Sequence, residues 1–404
     1  MNKKKKQKRK RIGKINPIFY AVAHAFVRLK YTRKYHITYD NAAVKNMKGP
    51  AIVVATHTCD QDHILSALTL HPVRPTYIVS EHFMHNRSTA RLLKHMHVIT
   101  KKMFTPDVST IMNVIRAKNE NAVIVIFPEG RLSCYGHTLP VADGTAELIK
   151  KLGVDLYAWK AEGAYLTFPK WRDKGEDRIG EIHASVKLLL TADEVASRSV
   201  SEIKEITEKA ISHDDEQAMA GIEYKCKNIA RGADKVLFKC PKCQKEGGIT
   251  TEGNHIRCTC GLDATLDSTY RLSGAPFDRI NEWFEWQQAS MDTEGSLSTH
   301  ARLGCCGEDG FMDPNAGEGD VYIDKDVFTL TGTLHGEAVS FTVKTENIGA
   351  FPISPGDHID IYHGNRLIYI YPQPDLRDSV KWVCFLDNLN AKRRAECNGE
   401  VLGV

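Results

Sequence analysis

The chain has 404 residues, 42% of them hydrophobic and 26% charged, which excludes a fibrous or disordered polypeptide and leaves room for two or three domains. No apolar run approaches the roughly 18 residues that cross a bilayer, and no secretory pattern follows the basic start, so the eleven cysteines are expected to stay reduced. The formal net charge of +4 conceals one dense cationic block, MNKKKKQKRKRIGK, and Asp40 is the first acidic residue.

After that block, Ile15, Ile18, Phe19, Val22, Phe26 and Leu29 recur near helical spacing. A basic leader joined to an amphipathic helix would lie in the interface of an anionic bilayer, each Lys or Arg adding about 1 kcal/mol there. Residues 1–40 are therefore read as a membrane-surface segment, placing the protein peripherally on the cytoplasmic face of the cell membrane. A basic tail for nucleic acid or a merely solvated terminus competes with this reading. The aromatic and aliphatic residues favour the membrane, and nucleic acid is not the expected partner.

The next stretch, AIVVATHTCDQDHILSALTL, opens with an apolar run from Ala51 to Ala55 that reads as a buried strand. An amphipathic run beginning near Asp62 reads as the following helix. This places His57 at a strand end and Asp62 in the first helical turn, where the carboxylate can fold back onto the imidazole. A carboxylate on one ring nitrogen fixes the tautomer and leaves the other nitrogen free to take a proton from a hydroxyl. Such a spacing arises about once by chance in a chain with 17 histidines, Asp60 could be a helix cap, and Asp62 could serve the helix dipole.

Farther on, TYIVSE and HVIT read as strands flanking a short helix, STARLLKHM. Thr105 and Pro106 read as the start of another helix. The run Ala122 to Phe127 then reads as a strand ending in Pro128, Glu129, Gly130, Arg131, Leu132 and Ser133. Gly130 permits close backbone approach and Arg131 offers a planar fork of donors, which together suit an anion.

Taken together, HTCDQD and FPEGRLS resemble the glycerolipid acyltransferase family typified by bacterial 1-acylglycerol-3-phosphate acyltransferases. The resemblance implies direct acyl transfer from acyl-CoA or acyl carrier protein to the free hydroxyl of a lysophospholipid, with His57 as general base and Asp62 as its orienting partner. It places Glu129, Gly130, Arg131 and Ser133 at the acceptor, with Glu129 orienting Arg131 or accepting from the acceptor hydroxyl. Lys101 and Lys102 occupy the family's other phosphate-contacting block. Backbone donors or a basic side chain would steady the oxyanion, and no catalytic metal is implied. Two departures stand out. The arginine after FPEG comes one place early, and Ala158, Trp159 and Lys160 before Gly163 lack the proline of the fourth block. Cys59 and Ser133 remain conceivable nucleophiles for a covalent route.

The body at 41–213 is thus expected to be a mixed or parallel α/β sheet covered by helices. Capping boxes at Thr191–Glu194 and Ser199–Glu202 open helices that lead away from it, and Asp214, Asp215 and Glu216 read as a solvated linker. Within 214–270, Cys240 and Cys243, then Cys258 and Cys260, form two pairs suited to a structural zinc. The second pair has one intervening residue where two are usual, which makes His255 a possible substitute ligand.

In 271–404, FDRINEWFEWQQASM reads as a helix packing Trp283, Phe284 and Trp286. A Gly-rich stretch from about Gly304 to Gly319 follows. Five alternating runs then read as antiparallel strands, closed by a helix carrying Val380, Trp382, Val383, Phe385, Leu386 and Leu389. That pattern resembles a pleckstrin-homology or GRAM-type module. The leading expectation is a peripheral acyltransferase that makes phosphatidic acid in phospholipid biosynthesis. The alternative is a noncatalytic lipid-binding or nucleic-acid-docking protein on the same scaffold.

Overall fold

Seven strands form the first sheet in the structure, a computed structural model that describes residues 15–105, 107–173 and 175–397. They are β1 (His36–Asp40), β2 (Ala51–Ala55), β3 (Thr76–Ser80), β4 (Ile99–Lys101), β5 (Val123–Ile126), β6 (Asp155–Glu162) and β7 (Glu181–Leu190). Their spatial order is β1-β7-β6-β2-β5-β3-β4, with every pair parallel except β6 and β7. β2 lies at the centre, and all five of its residues are buried because helices cover both faces.

Alternation along β2 assigns its side chains to two cores. Ala51, Val53 and Ala55 face Leu65 and Leu68 of α2 (Asp62–Thr69) and Tyr31 of α1 (Pro17–Lys34). Ile52 and Val54 face the other layer, which includes α4 (Val108–Asn119), α5 (Thr145–Leu152), α7 (Ala192–Ser197) and α8 (Val200–Ile211). α3 (Arg87–Met96) links β3 to β4. Both capping boxes form, yet α7 and α8 do not leave the sheet. Val195, Ile203 and Ile211 are buried with Ile52 and Val54. The segment expected as a solvated linker is likewise buried. Asp215 accepts from the amides of Gly163 (2.5 Å) and Tyr165 (2.6 Å) at the start of α6 (Ala164–Thr167), and it precedes Glu216 in α9 (Asp215–Ala218).

Several boundaries differ from the sequence reading. β1 lies within the segment read as leader, and β7, which carries the antiparallel turn of the sheet, had no counterpart in that reading. α4 is capped by Asp107, whose Oδ1 accepts from the Thr110 amide at 3.1 Å, whereas Thr105 donates its hydroxyl to the Lys102 carbonyl. Pro106 and the basic block at 1–14 lie outside the described residues.

A small antiparallel sheet follows, built from β8 (Ile249–Glu252), β9 (His255–Cys258), β10 (Asp263–Leu266) and β11 (Leu272–Ser273). Its core is continuous with Tyr165 and Trp171 on one side and with Trp283 and Phe284 of α10 (Ile280–Ala289) on the other. The last unit is a seven-stranded antiparallel sheet in the order β15-β14-β13-β12-β18-β17-β16. Its strands are β12 (Leu297–Cys306), β13 (Met312–Ile323), β14 (Val327–Leu334), β15 (Glu337–Lys344), β16 (Ile353–Ser354), β17 (His358–His363) and β18 (Arg366–Pro372), and α11 (Ser379–Cys397) closes one face. β15 and β16 are free ends, so hydrogen bonding does not close it into a barrel.

The Gly-rich stretch belongs mostly to β12 and β13. A Cβ at Gly317 would overlap the Thr333 carbonyl of the adjacent strand, so the glycine permits a close backbone approach inside a sheet.

Candidate active site

His57 leaves the carboxyl end of β2, and its Nδ1 lies 3.1 Å from Asp62 Oδ2. The Asp62 carboxylate is fully buried and accepts from the Cys59 amide at 3.0 Å and the Cys59 thiol at 3.1 Å. Three donors thus hold one carboxylate in a tight turn. The ring of His57 stacks on Phe127 with centroids 4.3 Å apart, leaving 23% of the side-chain surface exposed. The Nε2 atom has no hydrogen-bond partner among the described residues. An imidazole oriented in this way can accept a proton from a hydroxyl brought to its free edge.

The turn after β5 is laced directly to that loop. Glu129 Oε1 accepts from the His57 amide and its Oε2 from the Leu139 amide, both at 2.8 Å, while the Ser133 amide donates to the His57 carbonyl at 3.0 Å. Glu129 is buried, and this burial pushes its pKa up to about 8 against the pull of the two amide donors. Both of its oxygens accept from backbone amides, and among the described residues it makes no hydrogen bond to Arg131. Gly130 sits at φ +74° against the Phe104 ring, a backbone conformation that an L side chain would strain.

Arg131 departs most from the expectation drawn from its position. Its guanidinium forms an ion pair with Asp387 of α11 and donates to the Phe351 carbonyl at 3.2 Å, with 9% of the side chain exposed. The fork of donors therefore grips the C-terminal unit. Ser133 is fully buried, its hydroxyl accepting from the Tyr135 amide. Lys102 Nζ donates to Asn365 at 2.7 Å, again toward the C-terminal sheet. Lys101 ends β4 half-buried, and desolvation lowers its pKa. Burial and the adjacent Asp62 carboxylate push the Cys59 thiol well up, which disfavours the thiolate that a covalent route would need.

Sequence reasoning missed three supports of the loop. Tyr31 of α1 donates its hydroxyl to Gln61, Arg172 pairs with Asp60 at 3.2 Å, and Phe127 supplies the platform for His57. Asp60 is thus an ion-pair partner, and Gln61 occupies the cap position of α2. The aromatic residue just before PEG was the one visible signal among these. α1 is capped by Asn16, whose side chain accepts from the Ile18 and Phe19 amides, and it packs on α2 through the Tyr20 hydroxyl. Its outer face leaves Ile18, Phe19, Val22 (66%), Phe26 (69%) and Leu29 exposed. Among the described residues no helix is long and apolar enough to cross a membrane.

The four predicted thiols converge. Cys240 and Cys260 sulfurs are 3.6 Å apart, Cys243 and Cys258 sulfurs 3.9 Å, and all four lie within 4.8 Å of one another. Zinc–sulfur bonds of about 2.3 Å in a tetrahedron give edges of about 3.8 Å, so the thiols fit such an ion. His255 instead pairs with Asp263 at 2.7 Å on the exposed side. Cys260 completes the set despite its short spacing.

A strand-end imidazole backed by a buried carboxylate, on a mixed α/β sheet, has the geometry a general base needs. Residues 20–159 match the family model described as Acyltransferase. The crystal structure of the 1-acyl-sn-glycerophosphate (LPA) acyltransferase PlsC from Thermotoga maritima is similar at 16% identity and a TM-score of 0.41, covering 48% of this chain and 76% of that one. A likeness of that degree carries no weight for the substrate.

Proposed function

We propose that this protein is a peripheral membrane O-acyltransferase that moves a fatty acyl group from acyl-CoA or acyl carrier protein to the free hydroxyl of a lysophospholipid, with 1-acylglycerol-3-phosphate as acceptor and phosphatidic acid as product. The observation that carries the reading is the His57–Asp62 pair at 3.1 Å with Nε2 free. Nε2 would take the acceptor proton as the hydroxyl oxygen attacks the thioester carbonyl, and the resulting imidazolium would then protonate the departing thiolate. Asp62 would hold the tautomer and steady the imidazolium, a role worth about two to four orders of magnitude in rate.

Arg131 is committed to Asp387, so Lys101 is the basic residue we assign to the acceptor phosphate. Its partly desolvated ammonium would gain from an anionic partner. The exposed apolar face of α1 supports attachment to an anionic membrane surface, and its Tyr31–Gln61 bond ties that attachment to the catalytic loop. The four-cysteine cluster would hold a structural zinc joining the small sheet to its neighbours.

The deciding experiment incubates purified protein and vesicles with labelled acyl-CoA or acyl carrier protein and a panel of lysophospholipids, with His57→Ala alongside. Wild-type transfer should fall by at least two orders of magnitude in the variant. Equal activity in both would refute the base role, and no transfer to any acceptor by folded, vesicle-bound protein would favour the noncatalytic lipid-binding alternative.

A further inference from the structure

At the carboxyl end of β3 the chain turns through Glu81–His85, and there His82 meets two residues of β17 across the junction with the C-terminal sheet. His82 Nδ1 lies 3.5 Å from Asp360 Oδ2, and His358 Nε2 lies 3.2 Å from Asp360 Oδ1. The three candidate ligand atoms all fall within 4.8 Å of one another. With metal–ligand bonds of about 2.1 Å, neighbouring ligand atoms sit about 3.0 Å apart in an octahedron and about 3.4 Å apart in a tetrahedron. The 3.5 and 3.2 Å spacings, each to a different oxygen of Asp360, lie near these values.

Hydrogen bonding among the three groups does not account for the cluster. His82 Nδ1 and Asp360 Oδ1 are both buried and lack a hydrogen-bond partner, even though each faces a potential one. His358 and Asp360 are nearly inaccessible, with 8% and 7% of their side chains exposed. Orphaned buried polar atoms clustered within 4.8 Å mark a place for a ligand that satisfies them together. His358 Nδ1 also lies 3.0 Å from Asp357 Oδ2, so Asp357 can take the ring N–H and turn the Nε2 lone pair toward the cluster. A carboxylate behind a ligating histidine fixes tautomer and ring direction in this way. Tyr369 packs edge-on against both imidazoles and holds them in place.

We propose that His82, His358 and Asp360 bind a divalent first-row transition metal, separate from the four-cysteine cluster, that staples the C-terminal sheet to the acyltransferase sheet. Two imidazoles and one carboxylate suit zinc, cobalt, nickel or iron(II), and three protein ligands leave coordination positions for water or an anionic oxygen. The site draws its ligands from two units of the chain. Metal binding would therefore stabilise their junction by mass action as well as occupy the site.

The test titrates cobalt(II) into the full-length protein as purified, with zinc retained on the thiolates, and follows visible absorption and melting temperature. The expected result is one saturable equivalent showing the weak bands of nitrogen and oxygen ligation without thiolate charge transfer, accompanied by a rise in melting temperature. Both signals should vanish in His82→Gln and His358→Gln. Asp357→Asn, which leaves all three ligands in place, should weaken binding about 10- to 100-fold. Absence of a saturable signal in the wild type overturns the proposal without recourse to any variant. A signal that persists at unchanged affinity in His358→Gln or Asp357→Asn overturns it equally.

Discussion

Replacing Asp387 with alanine would leave the Arg131 guanidinium buried with a single carbonyl acceptor, Phe351 O, and no counter-charge. Removing one member of a buried pair costs about 3–5 kcal/mol, because the remaining charge keeps its desolvation penalty. Asp387 retains 22% side-chain exposure through which water can partly replace it, so the lower end, about 3 kcal/mol, is expected. Urea unfolding followed by both tryptophan fluorescence and circular dichroism would measure this, with coincident transitions as the check on cooperativity. The double variant Arg131→Met/Asp387→Leu removes both charges and should recover most of the loss, since well-packed apolar groups often replace a buried pair at little cost. Its KM for a lysophospholipid should equal that of the wild type. A stable double variant with a strongly raised acceptor KM would show that Arg131 grips phosphate after all, and the reading of this residue as a junction clasp would fail.

Three further outcomes follow from the site and its surroundings. Glu129 has a folded pKa raised from 4.5 to about 8, so its contribution to stability is fully present below about 4.5 and is lost as pH rises toward about 8. Unfolding free energy measured across that window should be less pH-dependent in Glu129→Gln, and an unchanged slope would mean that the carboxyl is not the group responsible. Val22→Glu and Phe26→Glu on the outer face of α1 should each weaken flotation with anionic vesicles about ten- to hundredfold, from an apolar burial of about 1.5–3 kcal/mol per residue; undiminished flotation would remove α1 from the membrane surface. Metal analysis of Cys240→Ser should show about one equivalent of zinc lost together with lower thermal stability, whereas a stable protein of unchanged zinc content would refute a tetrahedral site at the cysteines.

Local features of the chain were legible before any tertiary structure. The apolar run Ala51–Ala55, the His57 and Asp62 spacing, the two capping boxes, the paired thiols and the apolar stripe of α1 each follow from residues a few positions apart, and a strand or helix imposes its own period on them. Partner choice over long distances was not legible. Arg131 has the residue type and turn expected of a phosphate ligand, but its counter-ion lies in the last helix, and only packing of the C-terminal unit brings them together. Glu129 has both oxygens claimed by amides of two separate segments, and Asp215, read as a solvated turn, caps a helix from inside the core. His82 stands far along the chain from His358 and Asp360, and no spacing rule relates them. Side-chain chemistry and short-range periodicity are properties of the chain itself. The identity of the group that meets a given charge in a low-dielectric interior is decided by which surfaces the fold presses together.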